Sequence, residues 1–336
     1  MNENNEILLS FDSLRLGYGT KELLPPVSAA AARGELVAVI GRNGIGKSTL
    51  LRTLLGLQPA LGGKILIGGR DLKELSGIQK ARRIGYISTE MVRVSNMTVF
   101  DLVTFGRFPH TNWIGRIDKD SCLAVNDAIM KTGLGGFEKR YISSLSDGER
   151  QRAMIARILA QDTDILIMDE PTAFLDIVNK FDIIKLMLSL SKEGKTIIFS
   201  THDLSIAVNQ ADKIWMMLED KIVEGAPEDL ALDGSFGSLF KSATVSFDTN
   251  EGTFKLKTES YNSIFIEGEG GIYNWTRKAL GRIGWSVSSV PTEPYIIVPS
   301  KGRGKWILEF QEKQQCFDNL YDLTRSFKAG FRIDHL

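Results

Sequence analysis

Hydrophobic positions cluster in short runs, each followed by small or polar residues. Residues 35–40 read Glu-Leu-Val-Ala-Val-Ile, a near-continuous apolar stretch that fits a strand buried on both faces. A Gly-rich turn follows, and from Lys47 to Leu57 the leucines recur at helical spacing. Ile165–Met168 ends in Asp169-Glu170-Pro171, and Thr196–Phe199 ends in Ser200-Thr201-His202-Asp203. Such strands alternating with helices predict an α/β fold, a mostly parallel sheet with helices on both faces. Ligands of these sheets bind at the carboxyl ends of the strands, which is where all three runs place their polar residues.

The pattern changes near residue 242. Thr244–Phe247, Phe254–Lys257, Ser263–Ile266, Trp285–Val290, Tyr295–Val298 and Trp306–Phe310 read as short strands, with helices over Ile272–Ile283 and Phe317–Lys328. Residues 1–241 and 242–336 are therefore expected to be separate domains, the second a small α+β unit with Trp275, Trp285 and Trp306 in its core. Gly268-Glu269-Gly270-Gly271 precedes the first of these helices and is expected to be a tight turn, with anion binding through its free N–H groups as the alternative.

Composition narrows the function classes. The 336 residues are 43% apolar and 24% charged, with 41 Lys+Arg against 41 Asp+Glu, the balance of a globular protein without the basic excess that nucleic acid requires. Cys122 and Cys316 are far apart and are expected to be two core thiols in a reducing compartment. Neither a signal peptide nor an apolar run long enough to span a bilayer is read, so a cytosolic protein is expected.

Gly41-Arg42-Asn43-Gly44-Ile45-Gly46-Lys47-Ser48 matches the phosphate-loop pattern in full. The glycines let backbone N–H groups approach phosphates closely, and a helix starting at Lys47 and running on through Thr49 adds its positive dipole end. Lys47 supplies charge to the β/γ-phosphates and Ser48 a hydroxyl to Mg²⁺. Asp169, at a strand end, suits a Mg²⁺-holding role, and Glu170 beside it is free to orient or deprotonate an attacking water.

Leu145-Ser146-Asp147-Gly148-Glu149-Arg150-Gln151-Arg152 resembles the signature of ABC ATPases, usually LSGGQ followed by RQR. The likeness covers roughly residues 6–235. It implies an ABC cassette with a helical subdomain. It further implies that Asp176 is the D-loop acid, that His202 is the switch histidine contacting the γ-phosphate, and that Tyr18 stacks on adenine. Ser146 and Gly148 would complete the ATP site of an identical second subunit. Two departures stand out. Asp147 and Glu149 bring negative charge into the signature, although Ser146-x-x-Glu149 also forms a capping box for a helix through Ala160. The Q-loop glutamine is replaced: Thr89 aligns with it, and Glu90 follows as a candidate hard-oxygen ligand for Mg²⁺.

The stretch Met97-Thr98-Val99 through Gly106-Arg107-Phe108-Pro109-His110 and Trp113-Ile114-Gly115-Arg116 resembles the helical subdomain of ATPases that serve iron-siderophore, haem and cobalamin importers. That resemblance implies ATP hydrolysis at the inner face of the cell membrane, with a separate permease and, indirectly, a substrate-binding protein as partners. His110 reads as a satisfied turn histidine and His335 as a surface residue. Two alternatives remain: an ABC ATPase working outside transport, disfavoured by the single cassette without a long coiled coil, and a nucleotide-gated scaffold with weak hydrolysis.

Overall fold

The computed structural model describes residues 6–89, 96–111, 117–240, 244–249, 251–256, 262–299 and 304–328. Its centre is a six-stranded sheet in the order Ile222–Gly225, Lys213–Met217, Leu36–Gly41, Thr196–Ser200, Ile165–Met168 and Ile84–Ile87. All neighbours run parallel except the first pair. Val39 pairs with Ser200, and Met168 pairs with both Phe199 and Ile87, so the carboxyl ends of four strands lie side by side. The three runs singled out by hydrophobicity are thus adjacent.

A second sheet, antiparallel, has the order Val27–Ala32, Ile7–Arg15, Gly62–Ile67 and Arg70–Asp71. In Ile7–Arg15, Leu9, Phe11 and Leu14 are buried while Asp12, Ser13 and Arg15 are exposed, which marks a sheet with one covered face. One apolar cluster joins both sheets around the helix Lys47–Leu54, whose Leu50, Leu51 and Leu54 belong to it together with Phe11, Val37, Val39, Ile167 and Trp215. Burying each such leucine contributes about 1.5–3 kcal/mol. Phe11 and Trp215 meet edge to face at 5.2 Å. The helix stops at Leu54 rather than Leu57, because Gly56 takes a φ of 70° and turns the chain away.

Between these strands lie the helices Val99–Thr104, Lys119–Lys131 and Asp147–Ala160, which pack on one another. Thr98 and Asp101 form a reciprocal capping box at the start of the first. The carboxyl end of Asp147–Ala160 is closed from the side: Arg107 Nη1 donates to Ala160 O at 2.9 Å, and His110 Nε2 lies 2.9 Å from Gln161 O. Cationic and polar groups satisfy the free carbonyls there and suit the negative end of the dipole. His110 is therefore a satisfied structural histidine.

The chain divides into two compact units, Met1–Lys241 with Phe247–Thr253, and Ser242–Ser246 with Phe254–Leu336. The second unit contains a five-stranded sheet in the order Trp285–Ser288, Asn262–Glu267, Tyr295–Ile297, Trp306–Phe310 and Lys313–Phe317, with helices Gly270–Arg282 and Leu320–Lys328. Its core holds Ile264, Ile266, Leu280, Ile296, Leu308, Leu323 and Phe327, with Trp285 and Trp306 packed against them. Two expectations fail here. Trp275 is 66% exposed, and Lys278 sits over its ring at 5.3 Å; its helix turns Thr276, Ala279 and Leu280 inward instead. Cys316 is exposed on Lys313–Phe317, an edge strand whose polar residues gave no apolar signal, while Cys122 is half-buried.

Candidate functional site

Gly46, immediately before the helix Lys47–Leu54, has a φ of 111°, which an L side chain rarely adopts, so the loop enters its helix only with glycine there. Lys47 is buried, and its Nζ donates to Gly41 O at 2.9 Å and Arg42 O at 3.3 Å. Burial lowers its pKa, opposed by the charges of Glu170 and Asp169. Ser48 is exposed in the first turn, and Thr49 Oγ1 lies 2.8 Å from the hydroxyl of Tyr18, a residue 57% exposed. Arg42, Asn43, Gly44 and Ile45 complete the loop. A cavity of about 260 Å³ beside it is lined by Gly41, Arg42, Asn43, Thr201, His202, Leu204, Leu239 and Phe240.

The acids sit where the strand Ile165–Met168 leaves the sheet. Asp169 is buried, and its Oδ1 accepts the Ser200 hydroxyl at 2.6 Å. Glu170 has a φ of 53°, unusual for a residue with a side chain, and its N–H donates to Ser200 Oγ at 2.9 Å. His202 Nε2 lies 2.5 Å from Glu170 Oε1. Thr89 Oγ1 donates to the backbone carbonyl of Asp169 at 3.1 Å, so this hydroxyl braces two strand ends. Glu90 lies outside the described residues.

The other predicted residues form a second cluster. Ser146 caps the helix Asp147–Ala160 with the reciprocal box read from the sequence: Ser146 N–H donates to Glu149 Oε2 at 2.8 Å and Glu149 N–H to Ser146 Oγ at 3.3 Å. The two acids of the signature are absorbed locally. Arg150 pairs with Asp147 at 2.8 Å, and Glu149, 3.5 Å from Arg140, is held below the usual carboxylate range chiefly by the Ser146 backbone N–H. Asp176 caps Ile177–Lys192, accepting the Asn179 N–H at 2.8 Å, which lowers its pKa. Asn179 binds the same carboxylate through Nδ2 at 2.9 Å, and its side chain fills the space beside Gly148, where a Cβ would come within 2.1 Å of Oδ1.

Sequence reading missed Ser200, Asn179 and Arg157. Arg157 Nη2 donates to Tyr86 O at 2.8 Å, tying the signature helix to the strand that leads to Thr89, and burial lowers its pKa. Only its position on the buried side of a recognisable helix could have flagged it.

Residues 24–173 match the family model described as ABC transporter, and residues 261–328 match the one described as iron ABC transporter C-terminal domain. The chain is 37% identical to the probable siderophore transport system ATP-binding protein YusV of Bacillus subtilis, over 66% of this chain and 82% of that one. It is also 37% identical to the ferric enterobactin transport ATP-binding protein FepC of Escherichia coli, over 65% and 82%. Among solved structures, cbiO1 of Clostridium perfringens, part of the ABC transporter complex cbiONQ, aligns with a TM-score of 0.62 at 28% identity, over 69% of this chain and 93% of that one.

Proposed function

The chain belongs to the family of ABC transporter ATP-binding proteins, and from that premise we propose that it hydrolyses ATP to drive import of an iron-siderophore through separate membrane permease subunits. The observation that carries this reading is the joining of Asp169, Ser200, Glu170 and His202 by short bonds at strand ends next to the phosphate loop. Glu170 is the general base toward the attacking water, and His202 holds its carboxylate. Lys47 and the helix N-terminus take the phosphates, and Tyr18 offers an exposed ring to adenine.

Mg²⁺ fits the donor set. Among the described residues no group of three or more His, Cys, Asp or Glu could hold a metal alone, and Mg²⁺ is characteristically held by one or two protein oxygens together with substrate phosphates. Asp169 and the Ser48 hydroxyl would supply those oxygens here, and the ion would neutralise charge on the β/γ-phosphates.

Ser146, Gly148 and Asp176 lie in the second cluster, which supports a homodimer in which each signature faces the other copy's nucleotide. Among the described residues no helix is long and apolar enough to cross a membrane. In this reading the permease is a separate chain, met from the inner face of the membrane. A substrate-binding protein would feed that permease. The test is co-expression with its permease in vesicles loaded with Mg-ATP. ATP-dependent uptake of an iron-siderophore supports the reading; uptake of other chelates only, or phosphate release unaffected by the permease, contradicts it.

A further inference from the structure

We propose that Ser200 is a positioning residue of the hydrolytic site, one hydroxyl that fixes the orientation of both acids. The proposal rests on the reading of Asp169 and Glu170 given above. Ser200 is fully buried and ends the strand Thr196–Ser200. Phe199 pairs with Met168 in the parallel register, so the next step along both chains sets Ser200 opposite Asp169. A serine hydroxyl has one proton to give and lone pairs to accept with. Here the proton goes to Asp169 Oδ1 at 2.6 Å, and a lone pair takes the Glu170 N–H at 2.9 Å.

Each bond does a separate job. Pinning Oδ1 stops the buried carboxylate from rotating and leaves Oδ2 with no hydrogen-bond partner among the described residues. That oxygen is then the one available toward a metal ion or its bound water. The second bond holds the left-handed backbone at Glu170, a conformation disfavoured for a residue with a Cβ. The turn is closed on its other side by the Ala173 N–H donating to Glu170 O at 3.0 Å. This backbone carries the Glu170 carboxylate to His202. Alanine or valine at position 200 would supply neither bond.

The experiment compares Ser200→Ala and Ser200→Thr with the parent chain. It measures ATP turnover, nucleotide affinity in EDTA, and Mn²⁺ affinity of the nucleotide complex by electron paramagnetic resonance. Partners that orient metal ligands typically matter about 10–100-fold. Ser200→Ala should therefore lose about tenfold or more in both kcat and Mn²⁺ affinity, while metal-free nucleotide affinity stays at the parent value. Ser200→Thr, which keeps the hydroxyl, should recover both. Should Ser200→Ala not fold, Ser200→Cys keeps the shape with a weaker donor and must show losses in the same direction. Parent-like kcat and Mn²⁺ affinity in Ser200→Ala overturn the proposal while Asp169→Asn and Glu170→Gln remain inactive. If those two variants also turn over normally, the reading of the site itself falls.

Discussion

Replacing Gly148 by alanine sets two known effects against each other. Glycine within a helix usually costs about 0.5–1 kcal/mol relative to alanine, so the substitution would normally stabilise the helix Asp147–Ala160. Here the added Cβ would lie 2.1, 2.4 and 2.9 Å from Oδ1, Cγ and Cβ of Asn179. Overpacking of that kind costs about 1–3 kcal/mol. Asn179 cannot swing aside freely, because its Nδ2 bond to Asp176 at 2.9 Å would be lost, at about 0.5–1.5 kcal/mol more. The clash wins, and a net loss of about 1–3 kcal/mol is expected. Urea unfolding followed by circular dichroism measures it. Asn179→Gly removes all three clashing atoms, so the double variant should recover at least about 1 kcal/mol of coupling in a mutant cycle. A Gly148→Ala protein as stable as the parent, or a cycle with no coupling, refutes the packing argument.

Two further outcomes follow from the same contacts. The Glu149 carboxyl is held below its usual range in the fold, so its contribution is complete above the ordinary glutamate pKa of about 4.3 and is lost as pH falls through the lowered folded value. Glu149→Gln should therefore flatten the acid limb of the stability–pH curve, and an unchanged limb in urea titrations would argue against the cap's role. Chains cut after Lys241 and after Thr253 should both bind ATP in equilibrium dialysis. The shorter one should be less stable by about 0.5–1.5 kcal/mol, because it loses the Phe247 ring that meets Phe236 at 4.6 Å. A folded but ATP-blind fragment would show that the nucleotide site depends on the second unit.

What the sequence disclosed depended on how locally each feature is determined. The phosphate loop, the helix after it and the Ser146–Glu149 box are set by residues within a few positions of one another, and the chain's own spacing exposed them. The strands of the second unit were legible within a residue or two wherever they carry apolar residues, and Lys313–Phe317 was missed because an edge strand can be polar. The four-stranded antiparallel sheet went unread because its longest strand, Ile7–Arg15, is interrupted by register shifts that break strict alternation. Ser200 is the sharpest case. Its importance comes from lying across from Asp169, some thirty residues away in sequence, a relation created by parallel pairing that no local pattern records. Thr89 shows the converse: alignment placed it at the glutamine position, and the structure gives its hydroxyl a different duty, on the Asp169 carbonyl.

Whether Glu170 activates water for ATP hydrolysis is decided by single-turnover phosphate release from the Glu170→Gln chain with Mg-ATP, run beside size-exclusion chromatography of the same sample. Loss of one catalytic base costs about 10²–10⁴ in rate. A loss of that size is expected with ATP affinity retained, together with accumulation of an ATP-bound dimer, because in the proposed homodimer hydrolysis would separate the two copies. Phosphate release at the parent rate would contradict that role for Glu170.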